Sequence, residues 1–358
     1  MRRTTALTDR LRRGRHAKKS AQAQDWGFFG PDSVSWKVWS YPTSFWLGFS
    51  RAVTIEELDP LLVASVQESG QVKQRTPLRY DRTLQYFATV IFGDAQSVLK
   101  ASEILVKVHS RAIGTDPVTG KRYDANDPES QLWIHLTAWH SILYTYERFG
   151  PGKLSAEDEA RYWQECALAA EFQTIDPDRV PRSREGIRQY FEDYRPQLVG
   201  SELARDMFQF LANMELHSIP HSVPYAIRWT INAFMSRAVI STFPRWMRDL
   251  GGTPQSRVTD AVITAATKPV VRVANWSPRV KLAVIGFLSP RTRPVLTPVF
   301  RDIDPVEKVV YTPAEARGKF GFDTIPAQWA ALTAKTKAKA YEHNHHDPVL
   351  EFADAQAS

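Results

Sequence analysis

Two histidines stand where apolar helices would ordinarily carry leucine. In "VKVHSRAIGT" His109 shares a face with Leu105, Val108, Ala112 and Ile113. In "LWIHLTAWH" His135 lies in the stripe Leu132, His135, Leu136, Trp139, Leu143 and Tyr146. Spacings of three and four put each set on one side of a helix. An inward imidazole needs a hydrogen-bond partner or a ligand, because a buried polar group left unpaired costs about 1–3 kcal/mol. Spacing alone leaves both readings open: a satisfied core residue, or a residue that holds something. His140 is five positions from His135, roughly 140° around the helix, so those two do not share a site as neighbours on a face.

Upstream, "LRYDRTLQYF" sets Arg79, Arg82 and Thr83 at i, i+3 and i+4, with Phe87 and Val90 continuing the face. Arg79 and Thr83 head an otherwise apolar stripe. A cation and a hydroxyl at the rim of such a face suit a ligand that carries negative charge. The plainer alternative is an arginine lying over apolar neighbours and a threonine bonding back to its own helix.

The elements that must position these residues read as helices. Expected spans are about 54–67, 78–92 closed by Gly93, and one opened by Asp94 as N-cap and stopped at Gly114. After the polar loop "GTDPVTGKRYDANDPES", the run Asp127-Pro128-Glu129 opens a helix that continues to Arg148. Further helices are expected at 155–173, 183–193, 201–214, 224–240 and 326–342. Past "GGTP" the pattern loosens, and "SPRTRPVLTPVFRDIDPVEKVVYTP" reads as an ordered, irregular, proline-rich arm. With no run of alternating segments, the expectation is an all-α fold. It divides into a basic flexible tail at 1–24, a helical catalytic domain at 25–250, a C-terminal extension packed on it at 251–342, and a flexible tail at 343–358.

The formal charge is +7, and residues 1–20 alone account for it, with eight Lys or Arg against Asp9. The remaining residues sum to zero, which argues against nucleic acid as a partner and assigns the basicity to a tail able to touch an anionic membrane surface. Arg2 and Arg3 are followed by no apolar run of a secretion signal. Apolar runs such as "KLAVIGFL" are too short for a bilayer span. Cys166 is the single cysteine, so disulfides, cysteine zinc sites and C-x-x-C-H haem attachment are excluded. A cytoplasmic protein, peripheral on the inner membrane surface, is the expectation. Neither a G-x-S-x-G elbow nor a phosphate-binding or dinucleotide glycine loop occurs, H-E-x-x-H is missing, and Glu103 and Glu147 lack the spacing of a di-iron bundle. "HNHHD" near the C-terminus reads as a solvated tail.

The order of "GPDSVSWKV", "LRYDRTLQYFATVIFG", "VHSRAIGTDPVTGKRYDANDPESQLWIH" and "VPRSREGIRQYFEDYRPQL" resembles the family of the rubber oxygenases (latex-clearing proteins) and the fungal ER-bound oxygenase of mycophenolic acid biosynthesis, over roughly residues 26–250. The resemblance implies an all-α fold with a globin-like core, haem b as cofactor, and O2 chemistry on a hydrophobic small-molecule or polymer substrate, isoprenoid or lipid-like. His109 matches the histidine that ligates haem iron. Arg79 and Thr83 match the arginine and threonine beside the haem on its other side. His135 matches the histidine of W-x-H, taken as support of the pocket. Arg82 falls where the rubber-cleaving branch has lysine and cannot ligate iron as lysine can. Many relatives carry histidine-proline at Asp59-Pro60 and histidine at Glu68; Glu68 is read as an acidic residue serving as base.

Three functions follow as expectations. The first is a haem-dependent oxygenase. The second is an oxidoreductase of the same family that hydroxylates or dehydrogenates. The third is a non-catalytic apolar-ligand or membrane-surface protein, with "IRWTINAFMSRAVISTFPRWMRDL" at a lipid interface.

Overall fold

Polar caps decide where the helices begin. Asp94, Asp127, Ser155, Ser183, Ser201, Ser256, Ser277 and Thr312 each accept a hydrogen bond from a backbone N–H of the following turn, satisfying one of the donors a helix start leaves unpaired. The computed structural model describes residues 22–68, 72–116, 120–213 and 223–345. The expected basic tail therefore falls mostly outside the described residues, as does most of the C-terminal tail.

Sixteen α-helices run through the described residues: α1 Val34–Trp39, α2 Phe49–Glu56, α3 Pro60–Glu68, α4 Val72–Phe92, α5 Ala95–His109, α6 Pro128–Phe149, α7 Ala156–Ala170, α8 Arg184–Tyr194, α9 Glu202–Ala212, α10 Tyr225–Ile240, α11 Arg245–Gly251, α12 Arg257–Ala274, α13 Pro278–Leu288, α14 Arg293–Phe300, α15 Pro313–Phe320 and α16 Ile325–His345. A π-helical turn, Ser44–Gly48, leads into α2. A two-stranded antiparallel hairpin, β1 Ile113–Thr115 with β2 Arg122–Asp124, pairs Ile113 with Asp124. The fold is predominantly all-α, as expected, with this hairpin as the exception among the described residues.

Several helices differ from the sequence reading: the one expected at 78–92 begins at Val72, and the proline-rich arm expected to be irregular contains α14. The span anticipated near 54–67 is two helices, because Asp59 caps a new start at Pro60: its Oδ1 accepts from the N–H of Leu61 and Leu62, each at 2.9 Å. The helix anticipated to reach Gly114 stops at His109, because residues 113–115 are taken into the hairpin. The inward face of α5 also differs. Val98, Leu99, Ser102 and Val106 are buried, whereas Val108 is 58% exposed.

α6 is the central helix. Trp133, Leu136, Ala138, Trp139 and Ile142 are completely buried around its circumference, the mark of a helix enclosed by its neighbours rather than lying on a surface. α1, α2, α7, α12 and the π-helical turn pack on it. Gly48 makes the closest approach possible, since a Cβ there would come within 2.8 Å of Thr145 Oγ1 and 2.9 Å of Ile142 Cδ1. The C-terminal helices complete the body: α12 packs on α6, α14 on α4, and α15 and α16 on α5. The proline-rich segment runs back along residues 23–27 through bonds from Val306 N to Ala23 O, from Trp26 N to Val309 O and from Tyr311 N to Gly27 O.

The zero charge sum outside the N-terminal tail conceals an uneven distribution. Residues 223–300 hold eleven Lys and Arg against Asp249 and Asp260 alone. Excess positive charge therefore resides on the folded body as well as in the tail.

Candidate active site around His109

α4 and α5 form a helical hairpin that turns at Gly93 and Asp94. Arg79 lies 14 residues before Gly93 and His109 16 after it, so both stand about 21–24 Å from the turn at 1.5 Å per residue. The hairpin thereby brings together two residues 30 apart in sequence. Their electrostatics show the meeting. Burial lowers the His109 pKa to about 4 against the opposing pull of the Ala125 carbonyl, and the Arg79 charge lowers it further. The imidazole is neutral at pH 7.

His109 closes α5 with its ring held from behind. Gln131 Nε2, from the first turn of α6, lies 3.0 Å from His109 Nδ1 and also donates to Ala125 O. Gln131 Oε1 accepts from Gln173 Nε2 at 2.8 Å. In this arrangement Nδ1 accepts and the ring proton sits on Nε2; the tautomer follows from the hydrogen-bond network. A proton on Nδ1 instead has the Ala125 carbonyl as its acceptor, with Gln131 Nε2 donating to the same oxygen, and leaves the Nε2 lone pair free.

His135 is buried in the core. Its Nε2 lies 2.8 Å from Cys166 O and 3.5 Å from Cys166 Sγ. Burial lowers its pKa to about 4, opposed by Cys166 O and by the Gln173 amide. That amide falls short of ordinary hydrogen-bond geometry, leaving Nδ1 unpartnered. The hydrogen-bonded chain from His109 through Gln131 thus ends at Gln173, short of His135.

Two carboxylates that the sequence reading passed over lie beside this set. Burial raises the Glu57 pKa to about 7, with Arg79 pulling it down and Asp59 up. Burial likewise raises Glu56 to about 8, against a 2.8 Å bond donated by Thr137 Oγ1. Arg79, its own pKa lowered by burial and raised by Glu57, stands electrically between Glu57 and His109. Arg82 is exposed, Thr83 is half-buried one turn beyond Arg79, and Glu68 ends α3 with its side chain outside the described residues. Asp59 has a structural task besides its cap, accepting from Tyr194 Oη at 2.7 Å.

Of the residues missed, Gln131 was the legible one: it precedes His135 by four positions on the same helical face. Gln173 follows the end of α7, and no spacing announces it. Glu56 and Glu57 stand in "IEELDP", a pattern as common on solvated helix ends as in cores.

Exposed apolar side chains stand on the helices that carry Arg79 and His109 and on β1, although Ile104, five positions from His109, points roughly 140° away from it. Ile104 and Val108 in the last two turns of α5, Leu78 beside Arg79, and Ile113 are 38–58% exposed. Among the described residues no group of three or more His, Cys, Asp or Glu is arranged to hold a bare metal ion. A haem asks less of the chain: one axial donor and an apolar seat. A neutral imidazole held by the Gln131 amide, on helices that leave apolar side chains uncovered, fits that requirement. A separate apolar cavity of about 300 Å³ opens between α3, the end of β1 and the segment entering α9, lined by Pro60, Val63, Val199 and Leu203.

Compared with known proteins, residues 36–276 match the family model described as "ER-bound oxygenase mpaB/B'/Rubber oxygenase, catalytic domain". That is about two thirds of the chain. No curated protein and no solved structure matches it.

Proposed function

Since this chain belongs to the family of the ER-bound and rubber oxygenases and is an oxygenase, we propose that it works with haem b and O2 on an apolar, isoprenoid or lipid-like substrate. The observation that carries the reading is the meeting of Arg79 and His109 across the α4–α5 hairpin, with the imidazole neutral and backed by Gln131. Haem, when bound, supplies the redox-active iron that reacts with O2. The chain supplies everything else.

His109 offers its Nε2 lone pair once Nδ1 carries the proton. The Ala125 carbonyl, itself held by Gln131, accepts the hydrogen bond from that proton and fixes the ring plane. Arg79 brings a desolvated positive charge to the site, which suits it to stabilise negative charge developing on a reacting oxygen. Thr83, one turn away, adds a hydroxyl to the same wall. The Glu57 carboxyl, with its pKa near 7, can take or release a proton at neutral pH, which makes it a second candidate base beside Glu68. Arg82, turned to solvent, is left without a part in holding the cofactor. His135 supports the pocket from the core, where it holds the Cys166 carbonyl of α7.

An apolar substrate is supported by the family and by the uncovered apolar side chains Leu78 and Val108 on the helices that carry Arg79 and His109. Such a substrate is collected at a membrane surface, which makes the protein peripheral; no helix among the described residues is long and apolar enough to cross a membrane. Whether C=C cleavage, hydroxylation or dehydrogenation results is read from products. The test is O2 uptake by haem-supplied protein on a polyisoprenoid and on a lipid, with product analysis. No uptake by wild type above that of Arg79→Ala on either class would remove the proposal.

A further inference from the structure

The helices α10, α12 and α13 expose apolar and basic side chains together on one side of the body. On α12, Val258, Val262, Ala265, Pro269 and Val273 recur at i, i+4, i+7, i+11 and i+15 and are all exposed. They form one stripe, opposite the buried Thr267 and Val271. Burial against the body explains the inner face; nothing in the described residues covers the outer one. Arg257, Lys268 and Arg272, also exposed, run along one edge of the stripe at i, i+11 and i+15.

Neighbouring helices extend the face. α10 and α13 both pack against α12. Trp229 on α10 is 63% exposed, Trp276 between α12 and α13 81%, and Phe287 on α13 42%. Arg279 at the start of α13 is exposed as well. Of the two acids in residues 223–300, Asp260 is taken inward by Arg248, at 2.9 Å. The positive charge of the face thus has almost no local counter-charge.

We propose that this face docks on an anionic lipid bilayer, with the α12 stripe, Trp229 and Trp276 entering the headgroup boundary and Arg257, Lys268, Arg272 and Arg279 meeting lipid phosphates. Charge complementarity selects the occupant. An apolar stripe with Trp276 just past its end, Trp229 on the helix packed beside it and cations along its edge matches an interface that is apolar below and anionic above. Nucleic acid presents phosphates but no apolar layer to receive valines standing in a row. A second copy of the chain would bring the same positive charge to the contact. The inference deepens the substrate reading, since it places the enzyme where apolar molecules dissolve, but it does not need the chemistry at His109.

The full-length chain is tested by co-sedimentation with vesicles of equal phosphatidylcholine and phosphatidylglycerol, without substrate and with or without haem. Two variants are compared with wild type: Val262→Ser with Trp276→Ser, and Arg257→Glu with Lys268→Glu and Arg272→Glu. All five positions are exposed, so circular dichroism and melting serve to show that both variants fold. The expected result is wild-type binding that each variant weakens at least tenfold, with the N-terminal tail common to all three. Equal binding by wild type and variants would overturn the proposal and assign the affinity to the tail. Wild type that ignores vesicles but binds duplex DNA through the same arginines would overturn it in favour of nucleic acid. Because the vesicle assay needs no turnover, its failure and failure of the oxygenase reading are separate results.

Discussion

Gln131 places its amide nitrogen 3.0 Å from His109 Nδ1 while its oxygen accepts from Gln173. One side chain from the start of the central helix therefore holds the imidazole at the end of α5 in place. Replacing it by leucine leaves the Ala125 carbonyl and the Gln173 amide without their partner. The expected outcome for Gln131→Leu is a stability loss of about 1–3 kcal/mol and a haem affinity lower by roughly 10–100-fold, measured by denaturant unfolding and haem titration. Gln131→Glu brings a negative charge to the imidazole and is expected to lower the haem midpoint potential. A potential unchanged in both variants would detach Gln131 from the site.

Glu57 and Arg79 feel each other's charge, and the Glu57 pKa near 7 falls in the range where a carboxyl acts as base. The rate of substrate oxidation is expected to rise as pH passes through about 7. Glu57→Gln is expected to flatten that limb and slow turnover by roughly 10² or more. If the variant keeps the limb, the titrating group lies elsewhere, and Glu68 becomes the next to replace.

The buried acids and histidines fix how stability depends on pH. Glu56 has a folded pKa of about 8, raised from 4.5, so between those values the unfolded chain has released a proton that the native chain keeps. Its contribution is fully present below pH 4.5 and is lost as pH rises through 8, at a slope of up to about 1.4 kcal/mol per pH unit. His109 and His135 work in the opposite direction: with folded values of about 4 against 6.5, their contribution is present above pH 6.5 and lost as pH falls through 4. Urea unfolding from pH 5 to 9 is expected to show declining stability above about pH 6.5, and Glu56→Gln is expected to shallow that decline. A slope identical in the variant contradicts the assignment.

His135 and His109 separate by substitution. His135→Ala leaves the Cys166 carbonyl unpaired in a fully buried site and is expected to cost about 1–3 kcal/mol or more, while folded chains still take up haem. Haem content that falls to the His109→Ala level would make His135 a ligand rather than a support.

How much of this was legible in the chain itself differs from element to element. The start of α6 was plain, because Asp127, Pro128 and Glu129 each act locally at a helix N-terminus. So was the cap at Asp94. The end of α5 was not: Gly114 is a good stop in isolation, but pairing of residues 113–115 with 122–124 outweighs it, a long-range contact that propensity does not contain. The inward face of α5 was misplaced because Ile104, Val108 and Val106 are equally apolar, and only tertiary packing decides which of them is buried. At the site, His109 and Arg79 stood out as polar residues on apolar faces, and the hairpin that joins them was implied by Gly93-Asp94. Gln173 could not be read, since its role depends on where the chain turns after α7.

The central claim is that His109 holds haem iron. The measurement that tests it most directly is the absorption spectrum, oxidised and reduced, of protein purified with haem supplied, taken on wild type and His109→Ala side by side. The account predicts a Soret band with about one haem per wild-type chain, and little or no haem in a His109→Ala variant whose circular dichroism is unchanged. A colourless wild type, or a variant that keeps stoichiometric haem, contradicts it.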